Sequence, residues 1–143
     1  MRVMFRACSV AALVISAGAA DAQDATKGEI VFKQCMTCHR IGPDAKNLIG
    51  PVLTGVIGRQ AGTYPAFAYS SINKSSGENG LAWSEENIFN YLPDPNAFLR
   101  KFLADKGQSS LATGTTKMTF RLANEQQRKD VIAYIKQFSE SKE

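Results

Sequence analysis

Cys35-Met36-Thr37-Cys38-His39 is the stretch of this 143-residue chain from which the rest can be read. It spells C-x-x-C-H, the spacing of a c-type haem attachment site. Two thiols on one turn can both add to the vinyl groups of a single porphyrin, making two thioether bonds. The imidazole that follows then lies beneath the ring and ligates the iron as its proximal base. His39 is the only histidine of the chain, and it stands where that chemistry needs it. Cys35 and Cys38 are therefore read as covalent anchors of one haem c, and His39 as an iron ligand.

Other readings of these residues are weaker. A thioredoxin-like dithiol wants a βαβ context, and no strand–helix–strand pattern surrounds this one. A structural zinc site takes about four Cys or His ligands, and the exported chain offers three. A disulfide within one turn is a poor clamp for a domain.

Residues ahead of this segment read as a leader. Arg2 and Arg6 make a positive start, Ala7 to Ala17 is mostly apolar, and Ala20-Asp21-Ala22 offers an A-x-A cleavage signal. The apolar run is too short to span a bilayer; a retained N-terminal anchor is the bland alternative. Cys8 sits at the start of that run rather than after it, which argues against a lipoprotein cysteine. The expected organisation is a cleaved signal peptide over 1–22 and one domain over 23–143.

Cleavage leaves 121 residues, enough for one core, to which the porphyrin adds a large apolar body. Losing Arg2, Arg6 and Asp21 leaves 15 basic against 12 acidic side chains, a net of +3. That excess is too weak to argue nucleic acid, but it suits docking to acidic protein surfaces. Export together with C-x-x-C-H points to the bacterial periplasm, and no other run is long enough for a membrane span.

Helix signals outnumber strand signals. Lys27 to Cys35 carries apolar Ile30, Val31 and Phe32, with Gly28 where another helix could approach closely. Gly42 to Gly62 is rich in Gly and Pro and reads as loop. Pro65 to Ser71 reads as a short helix with proline in its first turn. Ser84 caps a helix with Glu85 and Glu86 in its first turn and Ile88, Phe89, Tyr91 and Leu92 on its buried side. Pro93 ends it, and Asp94 caps a restart that buries Phe98, Leu99 and Phe102; Gly107 to Gly114 is polar loop. Asn124 caps the last helix, with Gln127 in the capping-box position. Val131, Tyr134, Ile135 and Phe138 make one apolar stripe along it. An all-α domain of about four to five helices around a cofactor is expected.

The face of the iron opposite His39 needs its own ligand or stays open. Without a second histidine, bis-imidazole ligation is excluded. Of the two methionines left after cleavage, Met36 lies inside the attachment turn on the proximal side. Met118 stands 79 residues beyond His39, ahead of the final helix, free to swing over the ring. A thioether is a soft, neutral ligand that raises the potential. Met118 as core filler and Lys117 as ligand, once its amine has lost a proton, stay open at this point.

With these residues in place, the chain resembles the class I cytochromes c, of the bacterial c2 and mitochondrial kind. The markers are Gly28-x-x-x-Phe32, the C-x-x-C-H segment, Gly50-Pro51, Gly58-Arg59, Trp83, Tyr91-Leu92, Lys117-Met118-Thr119-Phe120 and Val131-Ile132-Ala133-Tyr134. Each alone is weak; their order and spacing together are specific, and they cover nearly all of the sequence after the leader. The resemblance implies that Pro51 presents its carbonyl to the ring N–H of His39, and that Tyr91 hydrogen-bonds the Met118 sulfur. It implies that Arg59, Tyr69, Trp83 and Thr116 hold the buried propionates, and that Asn73 belongs to an internal water network. Phe120 would pack beside the exposed haem edge, and Gly28 and Phe32 would meet Val131 and Tyr134 where the first and last helices cross. The chain departs from the short members between about Arg100 and Thr113, where extra residues lengthen the segment ahead of Met118.

The implied activity is one-electron transport by a soluble carrier, a monomer by default, with no catalytic residue. Lys33 and Lys117, with Lys46, Lys101 and Lys106 in support, would ring the haem edge and meet acidic partners in brief, salt-sensitive encounters. Quinol–cytochrome c reductase as donor, with a terminal oxidase or photosynthetic reaction centre as acceptor, fits this role; so does a periplasmic dehydrogenase. The rival is a haem enzyme or gas sensor, peroxidase-like, with an open sixth iron position. It would welcome a distal histidine, and the chain has none to give.

Overall fold

A computed structural model describes residues 22–139 of the chain. The leader expected over 1–22 thus falls, but for Ala22, outside the described residues. Among the described residues five α-helices follow one another: α1 (Ala25–Phe32), α2 (Ser71–Glu78), α3 (Glu85–Tyr91), α4 (Pro95–Asp105) and α5 (Glu125–Lys136). Short 3-10 turns lie at Cys35–Thr37 and Ser109–Leu111. Among the described residues the only β-pairing is an isolated bridge between Gln60 and Ala82. The expected all-α architecture is the one observed.

Local chemistry sets most helix starts. Asp24 caps α1 by accepting from the Thr26 and Lys27 N–H groups, Ser84 caps α3 through Asn87, Asp94 caps α4 through Ala97, and Asn124 caps α5 through Gln127. Each side-chain oxygen satisfies donors that the first turn leaves without a partner. Pro95 sits at the start of α4, where its missing N–H costs nothing.

One element stands elsewhere than its sequence suggests. Pro65 to Ser71 forms no helix: the segment is irregular, and Ala66 takes the left-handed φ of 56°. The helix starts at Ser71 and runs through Ser-, Asn- and Gly-rich residues that are poor helix formers. Burial against α4 holds it, with Ile72 and Ser76 both fully enclosed. Tertiary packing overrides propensity here.

The crossing of α1 and α5 is the largest helix–helix interface. Its closeness depends on Gly28: a Cβ there would lie 1.9 Å from the Asp130 carbonyl oxygen. Beside it the Phe32 and Tyr134 rings meet at 5.3 Å. Val31, Phe32, Ile88, Leu92, Val131, Ile132 and Ile135 build one core cluster around this crossing. A second gathers Ala61, Ile72, Leu81, Tyr91, Leu99 and Leu103 between α2, α3 and α4. Trp83 and Met118 pack against both clusters. Among the described residues no helix is long and apolar enough to cross a membrane.

Candidate haem site

α1 ends at Phe32, and the chain then tightens into the turn that carries both thiols. The Cys35 carbonyl accepts from the N–H groups of Cys38, at 3.0 Å, and His39, at 2.9 Å. Cys35 and Cys38 form no disulfide with one another, which leaves both sulfurs available for thioether bonds. Burial, with Cys38 adjacent, pushes the Cys35 thiol up to about 11.

His39 Nδ1 donates to the Pro51 carbonyl at 2.7 Å. A carbonyl only accepts, so this contact fixes the tautomer and leaves Nε2 with its lone pair free to bind a metal. Burial lowers the pKa of the ring, partly opposed by the Pro51 bond, which favours the neutral form a metal requires. The loop bearing Pro51 is tied to the turn, since Gly50 N–H donates to the Cys38 carbonyl at 2.8 Å. Gly50 lies flat under the imidazole: a Cβ there would come within 2.5 Å of His39 Cε1.

These residues open onto a cleft of about 1320 Å³ of empty space, its mouth included. Its walls are mostly apolar, with Leu53 and Val56 contributed by the central loop, Ile88 and Leu92 by α3 and its C-terminal end, and Val131 and Ile135 by α5. Every site residue named from the sequence borders it. Cys35, Cys38, His39 and Pro51 do so together, as do Arg59, Tyr69, Asn73 and Trp83. Tyr91, Thr116, Met118 and Phe120 complete the lining.

The polar groups are arranged as follows. The Arg59 guanidinium donates to the carbonyls of Val52, at 2.8 Å, and Thr54, and stacks over the Tyr64 ring at 4.6 Å. Burial lowers its pKa, and the nearby Tyr69 and Tyr64 hydroxyls oppose that shift. Trp83 meets Tyr91 edge-on at 4.8 Å. Thr116 is a buried hub: Asn73 Nδ2 donates to its Oγ1 at 3.0 Å, and the Tyr91 hydroxyl lies 3.4 Å from the same atom. The resemblance assigned Tyr91 to the Met118 sulfur, whereas this geometry gives its hydroxyl to Thr116. Burial raises the pKa of Tyr91, so it stays a neutral phenol.

One polar group in the site was not found from the sequence. Ser70 lines the cleft, and its Oγ is buried without a hydrogen-bond partner. A lone serine in a loop carries no sequence signal, and this one fell inside the misplaced helix. A buried orphan hydroxyl normally has a partner, and a polar edge of a bound group would supply it. An apolar cleft, paired thiols, a tautomer-fixed imidazole, a thioether and an orphan hydroxyl together fit a covalent porphyrin with two propionates.

The lysines read as a docking ring differ from one another. Lys33 and Lys46 are exposed. Lys117 donates to the Ala68 carbonyl, Lys101 pairs with Asp105 at 2.7 Å, and Lys106 Nζ lies 5.5 Å from the Phe102 ring centre.

A helical shell that encloses an apolar cleft with a C-x-x-C-H turn at its wall defines a class of haem-bearing protein, and the comparisons narrow it. The family model "Cytochrome c" matches residues 25–139. Cytochrome c2 iso-2 of Rhodospirillum centenum is 69% identical over 116 residues, covering 81% of this chain and 96% of its own. A cytochrome c2 of Rhodopseudomonas palustris is 66% identical over 113 residues, 79% of this chain and 96% of its own. The solved structure of cytochrome c2 from Rhodospirillum centenum superposes with a TM-score of 0.81 at 68% identity, covering 82% of this chain and 99% of that one. The chain belongs to the cytochrome c family, as a class I bacterial cytochrome c. It carries one covalently bound c-type haem and is an electron-transfer protein rather than an enzyme.

Proposed function

We propose that this cytochrome is exported, loses residues 1–22, and works in the bacterial periplasm as a monomeric one-electron carrier, its single domain spanning 23–143. Cys35 and Cys38 would hold the haem through thioether bonds, and His39 and Met118 would ligate its iron. The observation that carries the ligand pair is the committed Nδ1 of His39, 2.7 Å from the Pro51 carbonyl, beside a cleft lined by a single methionine. That methionine is Met118; Met36 is exposed and absent from the lining.

The haem supplies the one-electron change at iron, with both ligands retained. The chain does the rest. Pro51 orients the imidazole and raises its basicity. The apolar walls exclude water, and a neutral thioether favours the lower charge of the reduced state. Arg59, Tyr69, Ser70, Trp83 and Thr116 would hold the propionates, Asn73 would join the polar network around them, and Phe120 would flank the haem edge. Quinol–cytochrome c reductase or a periplasmic dehydrogenase is the electron donor, and a terminal oxidase or photosynthetic reaction centre the acceptor. The basic excess and the exposed Lys33 and Lys46 support docking to acidic faces, with Lys117, Lys101 and Lys106 at its periphery.

Optical spectra of the ferric and ferrous holoprotein, with carbon monoxide added to the latter, test this reading. A thioether-to-iron charge-transfer band in the far red and no carbon monoxide shift are expected. In Met118→Ala the band should vanish and carbon monoxide should bind. A wild-type protein that lacks the band and binds carbon monoxide rapidly has an open iron, which refutes the ligand pair.

A further inference from the structure

The segment that delivers Met118 is held in an unusual way. None of residues 113–121 makes a backbone–backbone hydrogen bond among the described residues; such bonds resume at Leu122, whose N–H donates to the Leu92 carbonyl. Nor do side chains anchor its approach, because residues 113–115 are all exposed. Two groups on α4 grip it instead. Arg100 Nη2 donates to the Gly114 carbonyl at 2.6 Å, and Asn96 Oδ1 accepts from the Thr116 N–H at 2.9 Å. Four residues apart, Asn96 and Arg100 share one face of the helix, so they act on consecutive parts of the same segment.

We propose that Asn96 and Arg100 are positioning residues, an α4 clasp that registers the 114–118 segment so that the Met118 thioether stays over the haem. This rests on the Met118 ligation proposed above. The lengthened region between about residues 100 and 113 explains the need. A longer tether ahead of Met118 allows the segment more arrangements, and loop-closure entropy rises with its length. Tying Gly114 and Thr116 back to α4 makes the effective tether only a few residues long. Thr116 then passes the constraint on, because its Oγ1 accepts from the Met118 N–H at 3.3 Å and from Asn73 at 3.0 Å. The clasp holds one side of Thr116 through its backbone, and the buried network holds the other through its hydroxyl.

The test compares Asn96→Ala, Arg100→Ala and the conservative Asn96→Asp, which keeps an acceptor oxygen, with Lys101→Ala. Lys101 lies on the same helix but pairs only with Asp105. Three quantities are read on the ferric holoproteins: the far-red band, the rate at which added imidazole captures the iron, and exchange of the Thr116 amide proton. A purely structural role would lower the unfolding midpoint without moving these. Asn96→Ala and Arg100→Ala should weaken the band and capture imidazole about tenfold faster, the effect of one lost hydrogen bond. The Thr116 amide should exchange faster in Asn96→Ala, while Asn96→Asp should match the wild type. Alanine variants that behave like Lys101→Ala in a wild-type background showing the band overturn the clasp alone. A wild-type protein without the band overturns the ligation reading and the clasp with it.

Discussion

Gly50 shows how little freedom the proximal side has. Its N–H donates to the Cys38 carbonyl at 2.8 Å and its carbonyl accepts from Leu48 at 3.0 Å, so the loop cannot retreat from the histidine above it. Gly50→Ala would put a methyl 2.5 Å from His39 Cε1, and ring or loop must yield. We expect a stability loss of about 1–3 kcal/mol, as for other overpacked sites, seen as a lower denaturant midpoint at unchanged slope. At this scale the sequence was legible wherever the chemistry is local. Cys35, Cys38 and His39 declare themselves because thioether and imidazole chemistry requires adjacency along the chain. Ser70, Asn96 and Arg100 stay silent, because each owes its role to a partner or cleft wall that only the fold brings near.

Between elements, the crossing of α1 and α5 leaves no room for a side chain at Gly28. Gly28→Ala would drive a Cβ to 1.9 Å from the backbone oxygen of Asp130, which cannot rotate away. Separating the helices loosens Val31 and Phe32 from Val131 and Ile132, so the loss should reach or exceed about 3 kcal/mol, measured by thermal or denaturant unfolding. The N-terminus of α1 adds a pH dependence. The backbone N–H of Lys27, helped by that of Thr26 and by the Lys27 charge, holds the Asp24 carboxyl below its usual 3.8. A depressed carboxyl stabilises the fold above its unfolded pKa and loses that contribution as pH falls through the folded value. Asp24→Asn keeps the capping oxygen but cannot titrate, so its stability should decline less steeply below about pH 4. Acid titrations of the unfolding midpoint for both proteins check the sign; parallel declines would refute it. Capped helices such as α3, α4 and α5 were legible because caps are short-range. α2 was not, because Ile72 and Ser76 are helical for the sake of what they pack against rather than for their own propensity.

Across the whole molecule, the proposed docking to acidic partners rests on a mild positive charge and on which lysines are free to present it. The sequence puts Lys33 and Lys117 ahead of Lys46, Lys101 and Lys106, and the structure separates them along other lines. Lys101 already spends its charge on Asp105 at 2.7 Å, and Lys117 is tethered to the Ala68 carbonyl, whereas Lys33 is exposed just after α1 and two residues before the attachment turn. Charge reversal should therefore act unequally. Lys33→Glu should slow electron delivery to an acidic-faced terminal oxidase several-fold at low salt, since steering raises association rates most there. The deficit should shrink as salt rises and the screening length falls toward ~8 Å at physiological ionic strength. Lys101→Glu reverses a charge already paired with Asp105 at 2.7 Å and so less available to an acidic partner, and should cost less at every salt concentration. Stopped-flow rates at low and physiological ionic strength measure both effects. Equal deficits for the two variants would mean that net charge alone steers the encounter, and a Lys33→Glu deficit that ignores salt would locate the loss in the haem site rather than in docking.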